Sequence, residues 1–116
     1  MKTIIAGSRT GVTSQDVMEA IRLSKFEITS VVSGTAAGVD TYGEKYAIGR
    51  NLPIVRFPAN WERYGGRAGF ARNVQMANNA EALIAVWDGS SKGTMHMITT
   101  ASQKGLKVFV HCVGKG

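Results

Sequence analysis

Short apolar runs alternate with amphipathic stretches of helical length. Five runs read as strands: TIIAG (3–7), ITSVVSG (28–34), PIVRF (53–57), ALIAVWD (82–88) and KVFVHC (107–112). The second, fourth and fifth are nearly continuous apolar runs, which predicts strands buried on both faces. SQDVMEAIRLS (14–24) places Val17, Met18, Ile21 and Ala20 on one side, with Thr13 or Ser14 as its N-cap. DTYGEKYAIGR (40–50) carries Tyr42, Tyr46 or Ala47, and Gly49. AGFARNVQMANNA (68–80) carries Phe70, Val74 and Ala77. TMHMITTASQKG (94–105) carries Met95, Ile98, Ala101 and Ser102, and stops at Lys104-Gly105.

The order βαβαβαβαβ predicts an α/β, Rossmann-like three-layer sandwich around a five-stranded, mostly parallel sheet. At 116 residues, a single domain spanning 1–116 is expected, with a frayed VGKG tail. Ligands in such folds sit at the carboxyl ends of the strands, near the point where strand order reverses. The segments GSRTG, SGTAAGVD, FPANWERYGGRAG and WDGSSKGT all fall at that edge.

Composition narrows the partner. The net charge is +6, from 14 Lys and Arg against 8 Asp and Glu. Arg56, Arg63, Arg67 and Arg72 fall in one stretch opposed only by Glu62. This balance fits a nucleotide, a nucleic acid or another acidic partner; the alternative is a solvated surface. The chain shows no apolar run of membrane-spanning length and no signal-peptide pattern. Its one cysteine, Cys112, excludes an intramolecular disulfide and points to a reduced, cytoplasmic setting. His96 and the His111-Cys112 pair lack metal-ligand spacing, so the histidines read as structural, with no metal site and no cofactor expected.

Four strand-end segments carry candidate chemistry. Gly7, Ser8 and Arg9 close the first strand, and Arg9 suits a phosphate or carboxylate. Ser33, Gly34, Thr35, Ala36 and Gly38 form a tight strand-to-helix turn that matches neither the phosphate loop with lysine nor the dinucleotide fingerprint. Its glycines let backbone approach backbone or ligand, and the following helix start favours an anion. Asp40 and Glu44, four residues apart, share a helix face. They read as acceptors for ribose hydroxyls, as an acid or base in glycosidic cleavage, or as helix caps, Thr41 with Glu44 forming a capping box. Asp88, Gly89, Ser90, Ser91, Gly93 and Thr94 read as a phosphate cradle at a helix N-terminus, with Lys92 nearby. Trp61 and Tyr64 sit among arginines including Arg67, beside a Gly-Gly pair that suggests a loop closing over a ligand. Arg72 and Asn73, inside the next helix, would point back to the sheet edge. Phe70, Trp61 and Met76 make a homo-oligomer plausible.

Taken together, GSR (7–9), SGTAAGVD (33–40) with Glu44, GRAGFARNVQM (66–76) and WDGSSKGT (87–94) resemble the SLOG superfamily of Rossmann-like domains. The resemblance is greatest to its small single-domain YspA/YpsA-like branch, found in phage and bacterial genomes, and extends to LOG-type phosphohydrolases and DprA/Smf proteins. It implies capture of a nucleotide or an ADP-ribose-like ligand, as a sensor or sequestering module. In LOG-type enzymes a Pro-Gly-Gly-x-Gly-Thr loop precedes a glutamate used in N-glycosidic hydrolysis. Here Gly93 and Thr94 match, and no glutamate follows. Hydrolysis of a nucleoside phosphate is therefore the second expectation. Single-stranded nucleic-acid binding, as in DprA-like proteins, is the third.

Overall fold

Alternation along the central strands sorts the core into two halves. Ile5, Val31, Ile84 and Val86 face one side of the sheet, whereas Ile4, Ala6, Val32, Leu83 and Ala85 face the other. Each half is closed by a pair of helices, giving the predicted three layers. The structure is a computed structural model and describes residues 1–113. Its strands are β1 (Lys2–Gly7), β2 (Ser30–Ser33), β3 (Ile54–Arg56), β4 (Ala82–Trp87) and β5 (Lys107–Cys112). Its helices are α1 (Ser14–Ser24), α2 (Val39–Gly49), α3 (Trp61–Tyr64), α4 (Ala68–Asn78) and α5 (Lys92–Gln103). Helices α1 and α2 cover the first face through Val17, Ala20, Ile21, Val39 and Ala47. Helices α4 and α5 cover the second through Met76, Ala77, Met97 and Ala101.

All strand pairs are parallel, in the order β3-β2-β1-β4-β5. The chain builds outward from β1 to β3, then crosses back to place β4 on the other side of β1. Strand order therefore reverses between β1 and β4, whose ends lead into Ser8 and Asp88. This topology also explains one departure from the sequence reading. Strands β2 and β4 are buried on both faces, but β5 is only half-buried, because it is an edge strand. Central β1 is buried from Thr3 to Ala6 instead.

The helices are rotated relative to their apolar stripes. Thr13 caps α1 in a reciprocal capping box with Asp16, and Met18 lies outside the buried face. In α4, Phe70 and Val74 are exposed, whereas Asn73, Met76 and Ala77 turn inward. In α5, Met95 and Ser102 are exposed, and Thr94, Met97, Thr100 and Ala101 form the inner face. In α2, Val39, Asp40, Gly43 and Ala47 are buried, and Gly49 is exposed. Polar residues displace larger apolar ones because they find partners inside, as shown below. At the end of the described chain, Val113 donates its amide to the Trp87 carbonyl at 2.9 Å; the rest of the VGKG segment lies outside the described residues.

Two strand exits touch through backbone alone. The Val39 amide donates to the Ser8 carbonyl at 3.3 Å. A Cβ on Gly38 would stand 2.5 Å from both the Ser8 and Arg9 carbonyl oxygens, and its φ of +75° disfavours any L side chain. Gly38→Ala should therefore cost about 3 kcal/mol or more. Gly49→Ala, with open space around it, should stabilise by about 0.5 kcal/mol. Urea denaturation distinguishes them; equal midpoints would refute the contact's importance.

Candidate functional site

The turn after β2 is wired by its own acids. Thr35 adopts φ 63°, a left-handed conformation that is unusual for a β-branched residue. Its amide donates to Ser33 Oγ at 3.1 Å, and Ser33 in turn donates to Glu44 Oε2 at 2.7 Å. Glu44 Oε1 is held by Arg56 Nε and Nη2, each at 2.9 Å. Asp40 Oδ2 accepts the Ala36 amide at 3.1 Å, and Thr41 Oγ1 donates to the Ala36 carbonyl at 3.1 Å. The helix-cap readings are thereby corrected: α2 has Gly38 at its N-cap and no side-chain cap, and Thr41 and Glu44 form no capping box.

The loop after β4 is equally self-contained. Asp88 Oδ1 accepts the Ser90 and Ser91 amides, both at 2.9 Å, and these bonds hold its carboxyl below the usual range. Ser91 caps α5 by accepting the Thr94 amide. Two of the amides expected to cradle a phosphate thus already hold a carboxylate. The Lys92 and Gly93 amides, in the first turn of α5, have no helical acceptor. Ser8, only 2% exposed, accepts the Asp88 amide at 3.1 Å and ties the β1 and β4 exits together.

Between these turns lies a cleft of about 400 Å³, within the roughly 300–1,000 Å³ common for small-ligand sites. Of the sequence candidates, it is lined by Gly7, Ser8, Arg9, Ala36, Asp40, Arg72, Asn73, Asp88, Ser91, Gly93 and Thr94. Ser33, Gly34, Thr35, Gly38, Glu44, Arg67, Gly89 and Ser90 do not line it. Most of this second group shape the turns from behind. Gly34 is one such support: a Cβ there would come within 2.7 Å of Arg72 Nη1 and 2.8 Å of Asp40 Oδ2.

No family model matches the chain. The gene 61 protein of Mycobacterium phage D29 is 33% identical to it, over 68% of this chain and 68% of the phage protein. The chain belongs to that phage protein's family. Among solved structures, DNA processing protein A (DprA) from Streptococcus pneumoniae matches with a TM-score of 0.72 at 17% identity. The match covers 94% of this chain and 49% of DprA, so the chain spans about half of DprA's length. The likeness establishes a DprA-like, Rossmann-like α/β fold. Among the described residues, no helix is long and apolar enough to cross a membrane.

Several lining residues went unassigned in the sequence. Thr10, Gly66, Gly69, Phe70, Met76 and Met97 all reach the cleft, as does Trp61. Met76, expected on the surface, is 1% exposed and forms part of the floor. The Gly-Gly segment, expected as a closing loop, is a short 3₁₀ turn (Gly65–Arg67) that continues from α3. The sequence signal for this helix was Asn60, whose side chain accepts the Arg63 amide at 3.1 Å as an N-cap.

Beneath the cleft, charge is buried. Arg72 Nη1 donates to the Gly34 carbonyl, and its Nε is buried without a partner. Burial pulls the Arg72 pKa down, against the attraction of Asp40. Burial likewise pushes Asp40, 4% exposed, up to about 6, opposed by the Ala36 amide and then by Arg72. Among the described residues, neither Arg9 nor Arg72 forms an ion pair within 4.0 Å. Asp40 therefore stabilises the fold in its protonated form. That contribution is complete below pH 3.8 and is lost as pH rises through about 6. Asp40→Asn keeps an oxygen for the Ala36 amide and carries no charge. The variant should gain stability over the parent between about pH 4 and about pH 7, by up to about 3 kcal/mol. Urea titrations at the two pH values measure this; a pH-independent difference would contradict the burial of the charged acid.

Proposed function

We propose that this protein captures a nucleotide or nucleotide-derived ligand, a nucleoside phosphate or an ADP-ribose-like molecule, in the cleft at the carboxyl edge of the sheet. The observation that carries the reading is the charge arrangement there. Two arginines without carboxylate partners, Arg9 and Arg72, face the same cavity as the buried Asp40. Arginine without a carboxylate partner favours an anion, and Arg72 is half-buried whereas Arg9 is exposed. Asp40 beside it suits sugar hydroxyls, which can donate to its carboxylate or accept from its acid form. Gly93, whose amide lies in the first turn of α5, also lines the cleft and adds a donor.

In this reading the chain is a single SLOG-like domain of the small YspA/YpsA-like branch, acting in the cytoplasm as a sensor or sequestering module. Turnover is not part of it: α5 (KGTMHMITTASQ) contains no carboxylate to serve hydrolysis. Trp61 and Phe70, 59% and 47% exposed, then serve as ligand contacts rather than subunit contacts.

A second reading, single-stranded nucleic acid, has its own support. The fold is that of a DNA processing protein, and Arg63 and Arg67 stand exposed beside Trp61 on the rim. The two readings differ in salt dependence, because a strand neutralised at many phosphates releases many counterions.

Calorimetric titration with AMP, ADP-ribose and a thymidine oligonucleotide at two salt concentrations separates them. We expect saturable binding of a mononucleotide with a shallow salt slope. Arg9→Ala should weaken it by at least about tenfold, as expected for loss of a charge-assisted hydrogen bond. If only the oligonucleotide binds, with a steep salt slope, the second reading replaces the first.

A further inference from the structure

Phe70 lies on the cleft, and its ring stacks on His96 at a centroid distance of 4.3 Å and an interplanar angle of 30°. His96 does not line the cleft, so it backs Phe70 on the far side. Phe70 is nevertheless 47% exposed, which leaves part of the residue free. An apolar ring held from behind and partly exposed is a stacking platform.

One turn further along α4 stands Asn73, which is 5% exposed and also lines the cleft. Its Nδ2 lies 3.2 Å from the Gly93 carbonyl oxygen and 3.1 Å from His96 Nδ1. The carbonyl can only accept, so the atom facing it is the amide nitrogen, and His96 Nδ1 accepts its second hydrogen. This fixes the orientation of Asn73. It also places the imidazole hydrogen on Nε2, towards Thr100 Oγ1 at 3.5 Å. Both hydrogens of Asn73 are thus committed. Among the described residues its Oδ1 accepts no hydrogen bond. An open acceptor on a residue that lines a cavity is available to a donor from whatever fills that cavity.

We propose that Phe70 and Asn73 form a nucleobase subsite: an amino-bearing purine stacks on Phe70 and donates its exocyclic N–H to Asn73 Oδ1. His96 is a positioning residue here, holding both side chains at once. Trp61, which also lines the cleft and is 59% exposed, supplies a second aromatic surface. The inference rests on the nucleotide reading above and deepens it, because it names the base. Adenine fits this chemistry; hypoxanthine, with a carbonyl at the same position, presents an acceptor to an acceptor.

Calorimetric titrations with AMP, IMP and ribose 5-phosphate test it. AMP should bind about tenfold or more tightly than ribose 5-phosphate, in line with base–aromatic stacking. IMP should bind about tenfold more weakly than AMP, because its carbonyl sets one acceptor against another at Asn73 Oδ1. Phe70→Ala should bring AMP down towards ribose 5-phosphate and leave ribose 5-phosphate unchanged, and Phe70→Trp should restore the difference. Phe70 is half-exposed, so both variants are expected to fold, and a melting curve checks this. Equal binding of AMP and ribose 5-phosphate would overturn the base subsite while sparing the cleft. Equal binding of AMP and IMP would overturn the role of Asn73. If no phosphate ligand binds, the nucleotide reading itself fails, and the subsite with it.

Discussion

A buried acid beside a half-buried base, with no ion pair closed between them, is the constraint around which this protein is arranged. Asp40 is withdrawn from water and Arg72 partly so, and burial is the leading cause of both pKa shifts, upward for the acid and downward for the base. A buried ionisable group without full compensation is a cost to the fold. The local structure offsets part of it. The Ala36 amide meets the acid, the Gly34 carbonyl meets the guanidinium, and the missing Cβ of Gly34 leaves room for both. The Arg72 Nε stays buried without a partner, while Asp40 and Arg72 both line the cleft.

The rest of the sheet edge supports that arrangement from behind. Glu44 does not reach the cleft; it holds Ser33 and Arg56, and through Ser33 the strained Thr35. Asp88 spends its carboxylate on two amides of its own loop. Ser8 and Gly38 join the turns to one another. The acids at this edge are ties that shape the turns, and Asp40 and Asp88 are both ties and cleft residues.

Much of this was legible in the chain. Alternating apolar runs and amphipathic stretches predict the three-layer parallel fold, and its strand ends predict which edge carries the cleft. Two kinds of information were not local. Strand burial depends on order in the sheet, so KVFVHC reads as a core strand and folds as an edge. Helix rotation depends on tertiary partners: Asn73 turns inward because Gly93 and His96, twenty and more residues away, satisfy it, and Phe70 is thereby turned outward to the cleft. The same distinction separates the candidate residues. Gly34 and Glu44 carry the right chemistry in the right turn, but whether a side chain faces the cavity or braces it is decided by contacts across the sheet edge.

A crystal structure of the protein with AMP tests the central claim most directly. The account predicts the nucleotide in the cleft between β1 and β4, with an anionic oxygen within hydrogen-bonding reach of Arg9 or Arg72, a ribose hydroxyl on Asp40 and the base against Phe70. AMP bound elsewhere, on the α1–α2 face for example, with the cleft unfilled at saturating ligand, would contradict it.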